Sequence, residues 1–270
     1  MKTKLILECG CNHNGDMDIA IKMIDHAHLL GAWAVKFQKR DVELIPDEMK
    51  KLPRDLSNSF GKTYYEHRKA LEFSIVEMEN LKYHAESKGL VFICSAFDIN
   101  SIKELISYRF EYIKIPSQFA DRKDFQNKIM PYFLEQNIFV SLGMRSSNEL
   151  DSNIWRYGRV NTMHCISVYP HAINESCLSM LYREDINGYS SHGKEGREIQ
   201  YAVMAGAQYI ERHFTLDKTM NGSDHSTVSS EPEEIIRIIK EIEYVESILG
   251  DQERLLTDKE KKVRAFHMGR

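Results

Sequence analysis

Short apolar, β-branched runs recur along the chain with amphipathic segments between them. The runs are KLILEC (4–9), AWAVKFQ (32–38), LVFICSA (90–96), YIKIPS (112–117), IFVSLG (138–143), VNTMHCIS (160–167), INGYSSH (186–192) and QYIERHF (208–214). Between them, segments such as MDIAIKMIDHAHLLG, SIVEMENLKYHAESKG, SIKELISYR and GREIQYAVMAGA space apolar residues three and four apart, with glycine near several ends. That is the pattern of helices packed by one face. Strict alternation of strand and helix predicts a parallel sheet. Eight units favour a closed (β/α)8 TIM barrel over an open doubly wound sheet, which usually has fewer strands and a Gly-rich first turn. GCNHNG after the first run is not G-x-G-x-x-G, so a dinucleotide site is poorly supported. The expected organisation is one barrel domain over residues 1–250 and a charged C-terminal extension over 251–270. The longest connection, from Lys39 to about Leu71, reads as a lid over the barrel mouth.

A chain of 270 residues suits one barrel of this kind. Its formal charge of −4, with lysine and arginine spread along its length, gives no electrostatic reason to expect nucleic acid or an anionic membrane, and leaves small-molecule work as the default. Five cysteines, an odd number lying mostly in or beside apolar runs, suit reduced thiols. The N-terminus has too few apolar residues for a signal peptide and no later run approaches membrane-spanning length, so a cytoplasmic protein is expected.

In a barrel the active site gathers at the C-terminal ends of the strands. Those ends are polar here: Glu8 with Asn12 and His13 beyond it, Lys36 and Gln38, Ser95 and then Asp98, Lys114 and Ser117, Ser141, His164 with Ser167 and Tyr169, Ser190, Ser191 and His192, and finally Glu211 and His213. An inward charge in a low-dielectric barrel is costly unless paired or met by a ligand. Each group also has a bland reading. Lys36 and Lys114 could pair with Glu8 and Glu211, His164 could be a satisfied core histidine, the serines could cap helices, and Glu211 with Arg212 could form a local ion pair at the strand end. As a set, two lysines, several hydroxyls and the glycine-bearing turn SLGM suit a phosphate-bearing anion. His192 and His213, on successive strands, suit a divalent metal with open coordination positions. Glu8 could act as acid, base or water-holder. Cys9-x-Cys11 has too few partners for structural zinc.

These motifs resemble the sialic acid synthase (N-acetylneuraminate synthase, NeuB-type) family. The resemblance lies in ECGCNHNGD, GAWAVKFQK, GLVFICSAFD, IKIPS, SLGM, HCISVYP, GYSSH and IERHFTLDKTMNGSDH, in order from about residue 4 to 248. It implies a (β/α)8 enzyme that condenses phosphoenolpyruvate with an N-acylated amino sugar such as N-acetylmannosamine, using Mn2+ or another divalent ion such as Mg2+ or Co2+. By resemblance, His192 and His213 hold the metal. Lys36, Ser95, Lys114, Ser117, Ser141 and Ser190 hold phosphoenolpyruvate, with Ser167 where the family usually has Asn. Glu8 is a catalytic carboxylate, and Gln38, Tyr169 and Asp224 contact the sugar. A homodimer is compatible with the family.

Three departures qualify the resemblance. The sequence stops at KKVRAFHMGR, where the linker to the family's small C-terminal antifreeze-like domain would begin, so the arginine that this domain lends to a partner's site is expected to be missing. Phe119 stands where the family has a sugar-binding Glu, and Ser191 replaces the Asp that usually precedes the metal-binding His. The acceptor is therefore in more doubt than the chemistry, and Arg68 or Tyr65 of the lid could supply replacement contacts. A synthase acting on an aldose phosphate, for which Arg40, Arg68 and Arg145 are the available cations, and a non-catalytic sugar- or phosphoenolpyruvate-binding barrel are the alternatives.

Overall fold

In a computed structural model, residues 2–55, 57–123, 126–127, 131, 137–151, 160–250 and 255–269 are described. Eight parallel strands, β1 Lys4–Gly10, β2 Ala34–Lys39, β3 Val91–Ala96, β4 Tyr112–Ile115, β5 Asn137–Ser141, β6 Val160–Cys165, β7 Gly188–Ser191 and β8 Tyr209–His213, close into a barrel in sequence order. Each overlaps a run expected to be a strand, with β1, β2 and β5 extending one residue beyond it. The described α-helices are α1 Met17–Leu29, α2 Asp47–Lys50, α3 Tyr64–Leu71, α4 Ile75–Ser87, α5 Ile99–Ser107, α6 Ser147–Asp151, α7 Ile199–Met204, α8 Ser223–Thr227, α9 Pro232–Leu249 and α10 Asp258–Met268.

The helix starts are written locally. Asp16 caps α1 by accepting the amides of Asp18 and Ile19, and Thr63/Glu66 and Ser74/Glu77 form reciprocal capping boxes at α3 and α4. The outward side chains of the strands, among them Leu5, Leu7, Val35, Phe92, Ile113, Val140 and Ile210, are buried with Met23, Ile24, Met78, Leu81, Ile235 and Ile238 of the helices.

Inside the barrel the side-chain period of two makes two zones. Ile6, Ala34, Ile93, Phe139 and Met163 form an apolar plug, packed against Trp33, Tyr112 and Tyr209. Two residues further along the same strands the inward positions become Glu8, Lys36, Ser95, Lys114, Ser141, Cys165, Ser190 and Glu211. Register holds these in one layer: Glu8 pairs with Lys36 and His213, Ser95 with Lys114, and Ser190 with Glu211.

The segment from Lys39 to Leu71 carries α2 and α3. It is seated against the NHNG turn, where a Cβ on Gly15, whose φ is +75°, would collide with the Ala70 carbonyl. The barrel itself ends with α9, and α10 follows it; residues 251–254 of the expected extension lie outside the described residues. Among the described residues no helix is long and apolar enough to cross a membrane, and all five cysteines are free.

Candidate active site

A cavity of about 170 Å³ opens above the charged layer. Glu8, Lys36, Gln38, Ser95, Lys114, Ser117, Ser141, Ser167, Tyr169, Ser190, His192 and His213, all expected from the sequence, line it, and Glu211 joins them.

Its floor is a chain of paired charges. Lys36 Nζ lies 2.5 Å from Glu8 Oε2 and 3.7 Å from Glu211, and donates to Ser95 at 2.9 Å. Lys114 Nζ donates to both oxygens of Glu211 at 2.7 Å, and Ser190 adds a third hydrogen bond at 2.8 Å. Burial would push the Glu211 carboxyl up, but Lys114 and Lys36 outweigh it and hold the group well below the usual carboxylate range. Burial wins at Lys114, whose pKa is lowered in spite of Glu211, whereas at Lys36 the opposing effect of burial is overcome by Glu211 and Glu8 and the pKa is raised. The two lysines thus differ in how readily they can give up a proton.

One wall is a glycine-lined cradle. A Cβ at Gly143 would strike the Ser167 and Ser117 hydroxyls and the Cys165 thiol, so the turn brings donors together only without a side chain. Arg145 holds this turn by donating to the carbonyls of Gly143 and Ser117 and pairing with Asp121 at 2.5 Å. Arg145 therefore acts on the backbone and not as a free cation.

The opposite wall carries the histidines. Their ring centroids are 5.6 Å apart, and Tyr169 packs on His192 at 4.2 Å. His192 Nδ1 is 2.7 Å from the Ile166 carbonyl, which fixes the ring and leaves Nε2 on the side of Ser190. His213 Nδ1 is buried without a hydrogen-bond partner. Burial pulls both rings below the ordinary histidine pKa, reinforced at His192 by His213, so both are neutral near pH 7. Two neutral imidazoles, one with an orphaned nitrogen, fit a divalent cation with open positions; no cluster of three or more His, Cys, Asp or Glu suited to a metal occurs among the described residues.

Most of the remaining sequence candidates lie away from the central cavity. Asp224, on α8, does not line the central cavity; it borders a smaller one with Cys11, His67 and Arg68. Asn12 and His13 are structural: Asn12 donates to the Phe214 carbonyl and to Ser229, both at 2.8 Å, and His13 stacks on Phe73. His164 is the satisfied core histidine, its Nε2 2.8 Å from the Ser176 carbonyl. Glu211 and Arg212 do not pair. Glu211 faces the cavity, while Arg212 faces outward and donates to Ser230 and Ser191 and to the carbonyls of Gly193 and Lys194. Ser191 shares that outer pocket and donates to Glu198 at 2.5 Å, so its substitution for Asp leaves the cavity wall untouched. Of the two partners expected for Glu211, spacing alone favours the barrel lysines, since it lies two positions before His213 on one strand and must share its face.

Comparison with known proteins gives the family. The NeuB family profile matches residues 23–254. The chain is 31% identical to N,N'-diacetyllegionaminic acid synthase of Campylobacter jejuni, over 97% of this chain and 81% of that one. It is 33% identical to human N-acetylneuraminate-9-phosphate synthase, over 93% and 72%. The crystal structure of N-acetylneuraminic acid synthetase from Leptospira borgpetersenii superposes with a TM-score of 0.84 at 26% identity, covering 99% of this chain and 92% of that one. With the family profile spanning most of the chain and the polar strand ends gathered in one cavity, this protein belongs to the NeuB family.

Proposed function

We propose that the protein condenses phosphoenolpyruvate with the open-chain aldehyde of an N-acylamino sugar, of the N-acetylmannosamine type, to give a sialic-acid-type 2-keto-3-deoxy sugar acid and phosphate. The observation that carries this reading is the pairing of a two-lysine floor and hydroxyl cradle with two neutral histidines across one cavity. The names of the Campylobacter jejuni and human relatives, both sugar-acid synthases, support the reaction class.

Lys36 and Lys114 and the hydroxyls of Ser95, Ser117, Ser141, Ser167 and Ser190 would hold the phosphate and carboxylate of phosphoenolpyruvate and aim its C3 at the aldehyde carbon. Orientation of two reactants can lower a barrier by several kcal/mol. His192 and His213 would hold a divalent cation, Mn2+ first and Mg2+ or Co2+ as alternatives, whose chemistry is Lewis-acid polarisation of the aldehyde. The floor favours a cation there: with Glu8 and Glu211 already matched to Lys36 and Lys114, the four charges cancel, and an anionic substrate needs further positive charge. C3 bonds to the aldehyde carbon, whose oxygen takes a proton, and water adds at C2. Phosphate then leaves with the bridging oxygen. Glu8, fixed by Lys36 and by Gln38 at 2.8 Å, stands where a carboxylate could move protons to or from that water.

Purified protein with Mn2+ should release phosphate from phosphoenolpyruvate only when an acceptor sugar is present, and phosphoenolpyruvate labelled with 18O at the bridging position should pass the label to phosphate. Silence across a panel of N-acyl hexosamines and simple aldoses, with ligand binding intact, would favour a binding barrel instead.

A further inference from the structure

The cradle turn Gly143–Met144–Arg145 is held in an unfavourable shape with open space on both sides. Met144 has a φ of +63°, in the left-handed region that residues with a side chain seldom adopt, and it is 67% exposed, so packing gives it little in return. A side cavity of about 390 Å³, with Leu142, Leu150, Ile166 and Met180 among its walls, adjoins the turn, and Met144, Cys165 and Ser167 border both it and the central cavity. The cradle is therefore a partition between two spaces. A close-packed interior would fix such a turn by contact alone; here directed bonds have to do so.

Arg145 supplies those bonds. Its terminal nitrogens donate to the Gly143 carbonyl at 2.5 Å and the Ser117 carbonyl at 2.9 Å, and its Nε lies 2.5 Å from the Asp121 carboxylate. Ser117 follows the end of β4 and Gly143 that of β5, so one planar guanidinium ties two neighbouring strand ends at a fixed distance and angle. Both tied residues belong to the cradle: the Ser117 hydroxyl is 3.3 Å from that of Ser167 and 3.4 Å from the Cys165 thiol, and the missing side chain of Gly143 lets the three meet. Arg145 itself borders the side cavity and not the central one, and its side chain is only 4% exposed.

We propose that Arg145 is a positioning residue for phosphoenolpyruvate: it presets the cradle before the anion arrives and raises the affinity for it without touching it. This rests on the condensation reading above. Without the clamp, Met144 is free to leave the left-handed region, the turn shifts towards the side cavity, and Ser117 and Ser167 no longer present their hydroxyls together. The ordering lost from the free protein must then be supplied on binding, which weakens the complex.

The test is calorimetric titration of the full chain, with Mn2+ present, by phosphoenolpyruvate, comparing wild type with Arg145→Met, Arg145→Lys, Asp121→Asn and the pair Arg145→Met with Gly143→Ala. Arg145→Met should weaken binding tenfold or more, and Arg145→Lys, which can still reach one carbonyl, should recover part of the loss. Asp121→Asn, at a carboxylate that is 55% exposed, should weaken binding threefold or more by loosening the guanidinium, and it decides the matter if Arg145→Met does not fold. In the Gly143→Ala background, where the cradle is already filled, Arg145→Met should change affinity less than threefold, whereas a guanidinium acting directly on the ligand would lose the same factor in both backgrounds. Affinity within twofold of wild type in folded Arg145→Met or, failing that protein, in Asp121→Asn overturns the proposal, and so does full additivity with Gly143→Ala. No binding of phosphoenolpyruvate to wild type would sink the condensation reading and this proposal together; unchanged binding in the variants sinks this proposal alone.

Discussion

The lower and upper halves of the barrel interior are built on the same eight strands, two residues apart, and have opposite chemistry. The lower half is the plug of Ile6, Ala34, Ile93, Phe139 and Met163, where Phe139 meets Tyr209 edge-on at 5.0 Å and Trp33 packs on both Tyr209 and Tyr112. The upper half is the layer of Glu8, Lys36, Lys114 and Glu211. Burial in the plug is favourable by itself; burial of the charged layer is tolerated because each charge has an opposite partner. Stability thus resides below, and the candidate chemistry above. The desolvation that makes the upper layer costly would also strengthen its action on an anion bound there.

That division can be broken in order of expected effect. Lys114→Ala should lower turnover by ~1,000-fold or more, because it removes a preorganised charge and leaves Glu211 with Lys36 alone; steady-state phosphate release measures it, and a loss under tenfold contradicts the placement of the site. Phe139→Ala, in the plug, should do the reverse. It should cost about 3–5 kcal/mol in urea unfolding while KM for phosphoenolpyruvate changes little in the folded fraction. Filling the cradle with Gly143→Ala should weaken phosphoenolpyruvate binding by ~100-fold, a loss of the size seen when one or two directed donors are displaced. Unchanged affinity by calorimetry would remove the cradle from the site.

Two smaller effects sharpen the contrast. His13, outside both halves, has its pKa lowered to about 4 chiefly by burial, and its Nδ1 accepts the Gly15 amide at 3.1 Å. The folded state therefore binds fewer protons than the unfolded one between about pH 6.5 and pH 4. Stability should be full above pH 6.5 and decline as pH falls through that window. Urea midpoints across it should flatten in His13→Phe; an equal slope in the variant would assign the decline to other groups. Last, Ser191→Ala removes hydrogen bonds to Glu198 and Arg212 outside the barrel. It should cost about 1–2 kcal/mol of stability and leave turnover within twofold.

The barrel and most of the central cavity's lining could be read from the sequence because both depend on periodicity. Strand positions follow from apolar runs, and a residue at a strand's C-terminal end has few places to go. Glu211 was left with two readings, a partner of the barrel lysines or of its chain neighbour Arg212, and alternation decides between them by sending 211 and 213 inward and 212 outward. The position of Asp224 was harder to read. It stands in a short helix after a turn, where no repeat relates a side chain to the barrel axis. Nor could a further cavity, beneath the segment carrying α2 and α3, be foreseen, since Leu44 and Arg68 from one connection meet Asp98 and Phe119 from two others only in the folded chain.

Alternation also gives Arg212 a consequence for assembly. Its guanidinium is gripped on the outer side by two carbonyls and two serine hydroxyls. A slip of β8 by one residue would drive this cation into the barrel's interior and turn Glu211 and His213 out among aliphatic side chains. The strand that carries one metal-site candidate and lies beside the other thus carries its own proofreading: a misthreaded barrel is penalised at three consecutive positions, before any substrate is present to test it.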